Sequence, residues 1–206
     1  MRASAVPYQI TGKTLQLSAS YDRHRAVGAI VAPELSAFRT AVGWPSGVAI
    51  LDHDAMLVVE TSRETGPMFL NRRPGYRAPV LATSPGLAYL AHCADGERAT
   101  LLARAAGDPA PWNDLARDPP LAERTLAAIR DRGFATMSPH YEDREYAGRI
   151  SSLGVPIMRN GRIYAAINIL YLLSALSPDQ AEAALLGPLQ DTARGLGEEL
   201  ARRSVD

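Results

Sequence analysis

The sequence predicts an α+β fold, an antiparallel curved sheet with helices packed on it, and three observations carry that prediction. Apolar residues over 25–42 recur at three-to-four spacing, two pairs of strand-like runs are joined by polar turns, and a capped, leucine-striped segment closes the chain.

In chain order, Val27, Ile30, Val31, Leu35, Phe38 and Val42 make one buried stripe of a helix, which Pro33 is expected to kink or restart. Residues 47–51 and 56–61 read as two strands around the turn Asp52-His53-Asp54. The stretch 62–79 is rich in Gly, Pro and Arg and reads as a long crossing loop, a kind of segment that is often functional. Ser84 then reads as an N-cap with Pro85 at the first helical position, introducing Leu87, Tyr89 and Leu90. Asp95 caps a further short helix, and 107–120, with four prolines, reads as a surface connection. A helix over 121–132 is closed by Gly133, after which 134–137 begins a strand. Residues 149–158 and 163–173 flank Asn160-Gly161, a strong hairpin signal. Ser177-Pro178-Asp179-Gln180 is a capping-box start, and Leu185, Leu189, Leu196 and Leu200 continue the stripe of a long helix that Pro188 is expected to bend.

Composition narrows the function. The 206 residues are 47% hydrophobic, enough for one sizeable core. Lys plus Arg and Asp plus Glu are 22 each, so no overall positive field exists to hold a phosphate backbone. Cys93 is the one cysteine, which fits a reducing compartment. Residues 1–8 lack the apolar stretch of a signal peptide, and the longest apolar run, 163–173, is broken by Asn168 and falls short of the ~20 residues of a membrane span. A cytoplasmic protein is expected.

Most chemistries find no residues to run on. There is no Gly-x-Ser-x-Gly turn, and Ser84 is followed by proline, so an N-cap role outweighs a nucleophile. A small hydrolase using Ser84 with His92 or His140 is the rival reading; it predicts ester turnover lost in Ser84→Ala. The four histidines lie apart; only His140 with Glu142, Asp143 and Glu145 forms a possible metal cluster, and a solvated polar loop is the favoured reading there. His92 and Cys93 are neighbours and point to different faces of a helix, so they are no catalytic dyad. No glycine-rich phosphate loop is present, so no cofactor is expected. The remaining features suit the capture of a small acid. The start of the helix at Ser84 to Leu87 offers unpaired amides and a positive dipole end. On the strand 163–173, period two places Tyr164, Ala166, Asn168 and Leu170 on one face, so Asn168 is a polar group on an apolar surface that needs a partner, either neighbouring backbone or a ligand. Ser151 and Ser152 on the preceding strand favour a pocket.

Three segments in this order, Arg77-Ala-Pro-Val-Leu-Ala-Thr-Ser-Pro-Gly-Leu-Ala-Tyr-Leu-Ala91, Ile129-Arg-Asp-Arg-Gly-Phe134 and Gly154-Val-Pro-Ile157, resemble the effector-binding domain of IclR-family transcriptional regulators, and the resemblance covers nearly the whole chain. It implies a GAF-like domain over 25–206. Residues 1–24 resemble the last wing strand and linker helix of that family's winged helix-turn-helix, the rest of which the sequence does not contain. Trp44-Pro-Ser-Gly-Val-Ala49 and Phe69-Leu-Asn-Arg-Arg-Pro-Gly-Tyr-Arg77 look like the regulators of hydroxyphenylpropionate and related aromatic-acid catabolism. Carried over by motif, the family's pocket falls on Thr83, Ser84, Pro85 and Gly86, with Ser152, Asn168 and Leu170 on the strands. Where many members have lysine after that glycine this chain has Leu87, and where serines line the last strand it has Asn168 and Leu170, a less polar pocket that suits an aromatic acid. The expectation is a non-enzymatic sensor. A carboxylic-acid effector sits near Ser84 to Leu87, helped by Arg77 or Arg149, with its ring on Ile150, Leu153 and Leu170. A homodimer or tetramer transmits binding to DNA through the N-terminal module.

Overall fold

The computed structural model of the chain describes residues 19–62 and 73–203, with side chains from residue 24 onward. The described elements are α1 (Ala19–Val42), β1 (Ser46–Asp52), β2 (Ala55–Thr61), β3 (Arg77–Pro79), α2 (Ser84–His92), α3 (Asp95–Ala106), a 3-10 turn (Pro111–Asn113), α4 (Asp114–Arg117), α5 (Pro119–Arg132), β4 (Ala135–Thr136), α6 (Pro139–Tyr146), β5 (Ile150–Arg159), β6 (Arg162–Leu172) and α7 (Pro178–Arg202). The six strands form one curled sheet in the order β3-β2-β1-β6-β5-β4, every neighbouring pair antiparallel, so the predicted α+β class with helices on an antiparallel sheet holds.

The hairpin β5–β6 is the longest pairing, and its turn takes positive φ at both Asn160 (51°) and Gly161 (75°), the conformation that an Asn-Gly pair adopts most cheaply. Its alternation sorts the core into two faces. Leu153, Val155, Ile157, Ala165, Ile167, Ile169 and Tyr171 join Val27, Val31 and Leu35 of α1 and Leu185, Leu189 and Leu196 of α7 on one face. Ala166 packs beneath α2 with Leu90, Leu126 and Ile129 on the other, and Leu170 gathers with Ala82, Met137, Tyr141 and Tyr146.

Several expectations change. α1 and α7 run unbroken through Pro33 and Pro188. The N-cap of α2 is Thr83, not Ser84, and Pro85 is the second helical residue; the Thr83 hydroxyl donates back to the Pro79 carbonyl instead of capping. α3 starts at Asp95 with Ala94 in the cap position. The stretch 107–120 folds into a 3-10 turn and α4, because Trp112 and Asn113 turn inward. Residues 139–146, read as a polar loop, form α6, whose Tyr141 and Tyr146 are buried. Tyr164 departs from the Ala166–Asn168–Leu170 face: the register slips between Ile157 and Met158, leaving Tyr164 outside the pairing, and it packs with the α1–α7 side. The long helix at the end starts as predicted, with Ser177 and Gln180 closing a reciprocal capping box. The segment 1–18, which carries the expected wing, and 63–72 of the crossing loop lie outside the described residues.

Candidate functional site

The sheet face opposite α1 and α7 collects most of the predicted residues. Ser152 pairs across β5–β6 with Leu170, Ile150 with Leu172, and Gly154 with Asn168, which in turn pairs with Gly47 of β1. Ile150, Ser152, Asn168 and Leu170 therefore share one face, and α2 begins directly above them. Leu153 points the other way, into the core under α7, so the expected ring contact on Leu153 is corrected.

Two close approaches fix the start of α2. A methyl group at Gly154 would lie 2.5 Å from the Ser84 carbonyl carbon, and one at Gly86 would lie 2.1 Å from the Val80 carbonyl oxygen, so both positions demand glycine for contact rather than for torsion. This packing buries Ser84, Pro85 and Gly86 and sets the Ser84 hydroxyl 2.7 Å from that of Ser152. The Leu87 amide donates to the Thr83 carbonyl, and Pro85 has no N–H; the amides of Ser84 and Gly86 have no backbone acceptor among the described residues.

Asn168 stands out. Its half-buried carboxamide makes no hydrogen bond to any described residue, although it stands between apolar neighbours on the sheet, with its oxygen over Gly47. Around its β6 neighbour Leu170, an aromatic wall comes from segments expected to be loops. Trp112 meets Tyr141 edge-on at 5.5 Å, Tyr141 meets Tyr146 at 6.3 Å, and the Tyr76 and Tyr141 hydroxyls lie 3.2 Å apart. Trp44, Ile150 and Leu172 pack against the same cluster. The missed signal was Ser138-Pro139, which opens α6 as Ser177-Pro178 opens α7.

The two arginines are not brought together with this face. Arg77, on the edge strand β3, is held by ion pairs to Asp52 and Asp54. Arg149 is exposed ahead of β5, its backbone bonded to Tyr146 and Leu173.

Other chemistries gain nothing. Ser84 is fully buried, and among the described residues its hydroxyl meets that of Ser152 and no base, while the His92 ring bonds the Ala88 carbonyl. Among the described residues no three His, Cys, Asp or Glu side chains gather as a metal site, and no helix is long and apolar enough to cross a membrane. Burial, with the carboxylate of Glu97 nearby, pushes the Cys93 thiol up to about 11. A thiol held neutral in the fold loses stability only where the unfolded chain ionises first. Stability should therefore fall as pH rises from about 9 toward about 11, and Cys93→Ser should flatten that loss in melts across this range.

Residues 19–197 match the family model described as bacterial transcriptional regulator IclR C-terminal. The chain belongs to this family. Among solved structures, the IclR domain is similar to the IclR of Thermotoga maritima (20% identity over 92% of this chain and 74% of that one, TM-score 0.69). It is also similar to an IclR homolog from Microbacterium hydrocarbonoxydans complexed with 4-hydroxybenzoate (20% identity, 94% and 76% covered, TM-score 0.69). A third likeness is to the inducer-binding domain of a PobR double mutant from Acinetobacter, in complex with 3-hydroxybenzoic acid (19% identity, 81% and 94% covered, TM-score 0.66). These likenesses show the fold. As an IclR C-terminal domain the chain belongs to a family of bacterial transcriptional regulators.

Proposed function

We propose that this domain senses a small aromatic carboxylic acid and couples its capture to operator binding by an N-terminal winged helix-turn-helix. In this reading residues 1–24 are the end of the wing and the linker, and 25–206 are the sensor. The observation that carries it is the carboxamide of Asn168, which bonds to no described residue, on the sheet face beneath the start of α2. A half-buried amide between apolar neighbours that bonds to no described residue is open to a ligand's polar group. The neighbouring groups suit an aromatic acid. The Ser84 and Gly86 amides and the dipole of α2 attract a carboxylate, Ile150 and Leu170 take a ring, and Asn168 meets a ring substituent. Thr83 and Ser152 hold the helix start in place, and Arg149 stands in solvent where it attracts an anion. Arg77, already paired with two aspartates, is the weakest member of the expected set. Two fold relatives hold hydroxybenzoates, which supports the ligand class.

Binding needs to favour one arrangement of a cytoplasmic homodimer or tetramer by only about 1–3 kcal/mol to alter operator affinity. α1, which begins within the linker segment and runs into the sensor, is the natural transmitter. Calorimetry with 4-hydroxybenzoate, 3-hydroxybenzoate, benzoate and aliphatic acids of similar size tests the reading. An aromatic acid is expected to bind and to be recovered unchanged, raising stability by about 2.7 kcal/mol at a hundredfold excess over Kd. Asn168→Leu is expected to weaken the hydroxylated acids more than benzoate. Turnover of the ligand, or no binding from any aromatic acid, contradicts it.

A further inference from the structure

A second hollow, which Asn168 does not line, lies between residues 79–81, α3 and the 3-10 turn, with a volume of about 170 Å³. Leu81, Leu90 and Leu101, all buried, form its floor, and Ala105 and Trp112 its sides. A space of this size holds one small ring: an apolar cavity of about 150 Å³ accommodates benzene.

Its polar groups are more informative than its size. Asn113 is 5% exposed and lines the hollow. Its Nδ2 donates to the Asp108 carbonyl at 3.5 Å, and its Oδ1 accepts nothing from any described residue. Asn113 Oδ1 is not among the sealed-off unpartnered atoms of the described residues, so it keeps access to open space and offers the hollow an acceptor for an incoming donor. Arg104 stands at the mouth without an ion pair among the described residues, but Asp54 and Asp108 line the same mouth. Asp54 is held by Arg77, and Asp108 accepts the Ala110 amide. An anion entering past these carboxylates gains little, and a cation meets Arg104. A neutral ring carrying a hydroxyl meets neither objection: its ring covers the leucines and its O–H donates to Asn113 Oδ1.

We propose that this hollow is a second small-molecule site, taking a neutral, single-ring hydroxyl compound of the phenol class. The inference goes beyond the acid-sensing reading and stands or falls separately from it. Trp112 also packs edge-on against Tyr141, so the two sites share a wall and an occupant here is felt at the aromatic cluster.

Phenol is the probe, with two-dimensional NMR of the leucine methyls and tryptophan indoles as the readout. Saturable shifts are expected at Leu90, Leu101 and the Trp112 indole, the latter separated from Trp44 by Trp44→Phe. Ala105→Leu, at a half-buried helical position, fills the hollow with a good helix former and is expected to weaken phenol at least tenfold, with 4-hydroxybenzoate binding at Asn168 as the internal control. Asn113→Leu, which keeps the volume and removes the acceptor, is expected to weaken phenol about fivefold while leaving toluene unchanged. Shifts confined to Leu170, or phenol affinity unchanged in both variants, overturn the second site. Loss of 4-hydroxybenzoate binding alone overturns only the acid-sensing reading.

Discussion

Gly86→Ala is expected to destabilise the domain by at least ~3 kcal/mol, lowering its melting temperature by roughly 6–12 °C. The direction is the informative part. Inside a helix, alanine normally exceeds glycine by up to about 1 kcal/mol, so a propensity argument predicts a gain. Here the added methyl meets the Val80 carbonyl oxygen at 2.1 Å, and backbone on both sides of the contact leaves no flexible side chain to yield. To relieve the clash α2 has to lift from the 79–83 turn, which would carry Ser84 away from Ser152. Thermal melts check the stability, and loss of effector binding at temperatures where the variant remains folded checks the positional claim.

Ser152→Ala is expected to cost about 1–3 kcal/mol, because the Ser84 hydroxyl, fully buried and 2.7 Å from its partner, is then left without one. Ser84→Ala should behave alike. The double variant should recover much of the loss, since removing both hydroxyls leaves neither unsatisfied. A double-mutant cycle by denaturant unfolding would show a coupling of 1 kcal/mol or more if the pair acts as described. Additive losses would mean that each hydroxyl has another partner.

Much of the fold was readable because its strongest signals are local. Asn160-Gly161 dictates a hairpin turn, Ser177 and Gln180 write a capping box, and the leucine stripe of α7 needs only one partner face. What escaped reading depends on tertiary contact. α6 shows no strong apolar period, since Pro139–Tyr146 buries only Tyr141 and Tyr146 on its inner side, and charge counts made it look like a loop. Pro33 and Pro188 suggested breaks, yet both helices continue, because buried residues on either side of each proline, Val31 and Leu35 in α1 and Leu185 and Leu189 in α7, join the core and outweigh one lost hydrogen bond.

The candidate site divides the same way. Period two on β6 correctly placed Asn168 and Leu170 together, and failed at Tyr164, where a slip in the ladder flips the side chain to the other face. Asn168 was legible as a polar residue on an apolar face; that no described residue satisfies it was not, because this depends on Gly47 and Gly154 beside it. Arg77 looked free in the sequence, and only the folded β2–β3 edge shows Asp52 and Asp54 claiming it.

The most direct measurement is a crystal structure of the domain grown with 4-hydroxybenzoate. The ring is expected on Leu170 and Ile150, its carboxylate at the start of α2 by the Ser84 and Gly86 amides, and its hydroxyl within hydrogen-bond reach of Asn168. A ligand bound elsewhere, or a sheet face closed over by protein side chains with Asn168 satisfied among them, would contradict the account.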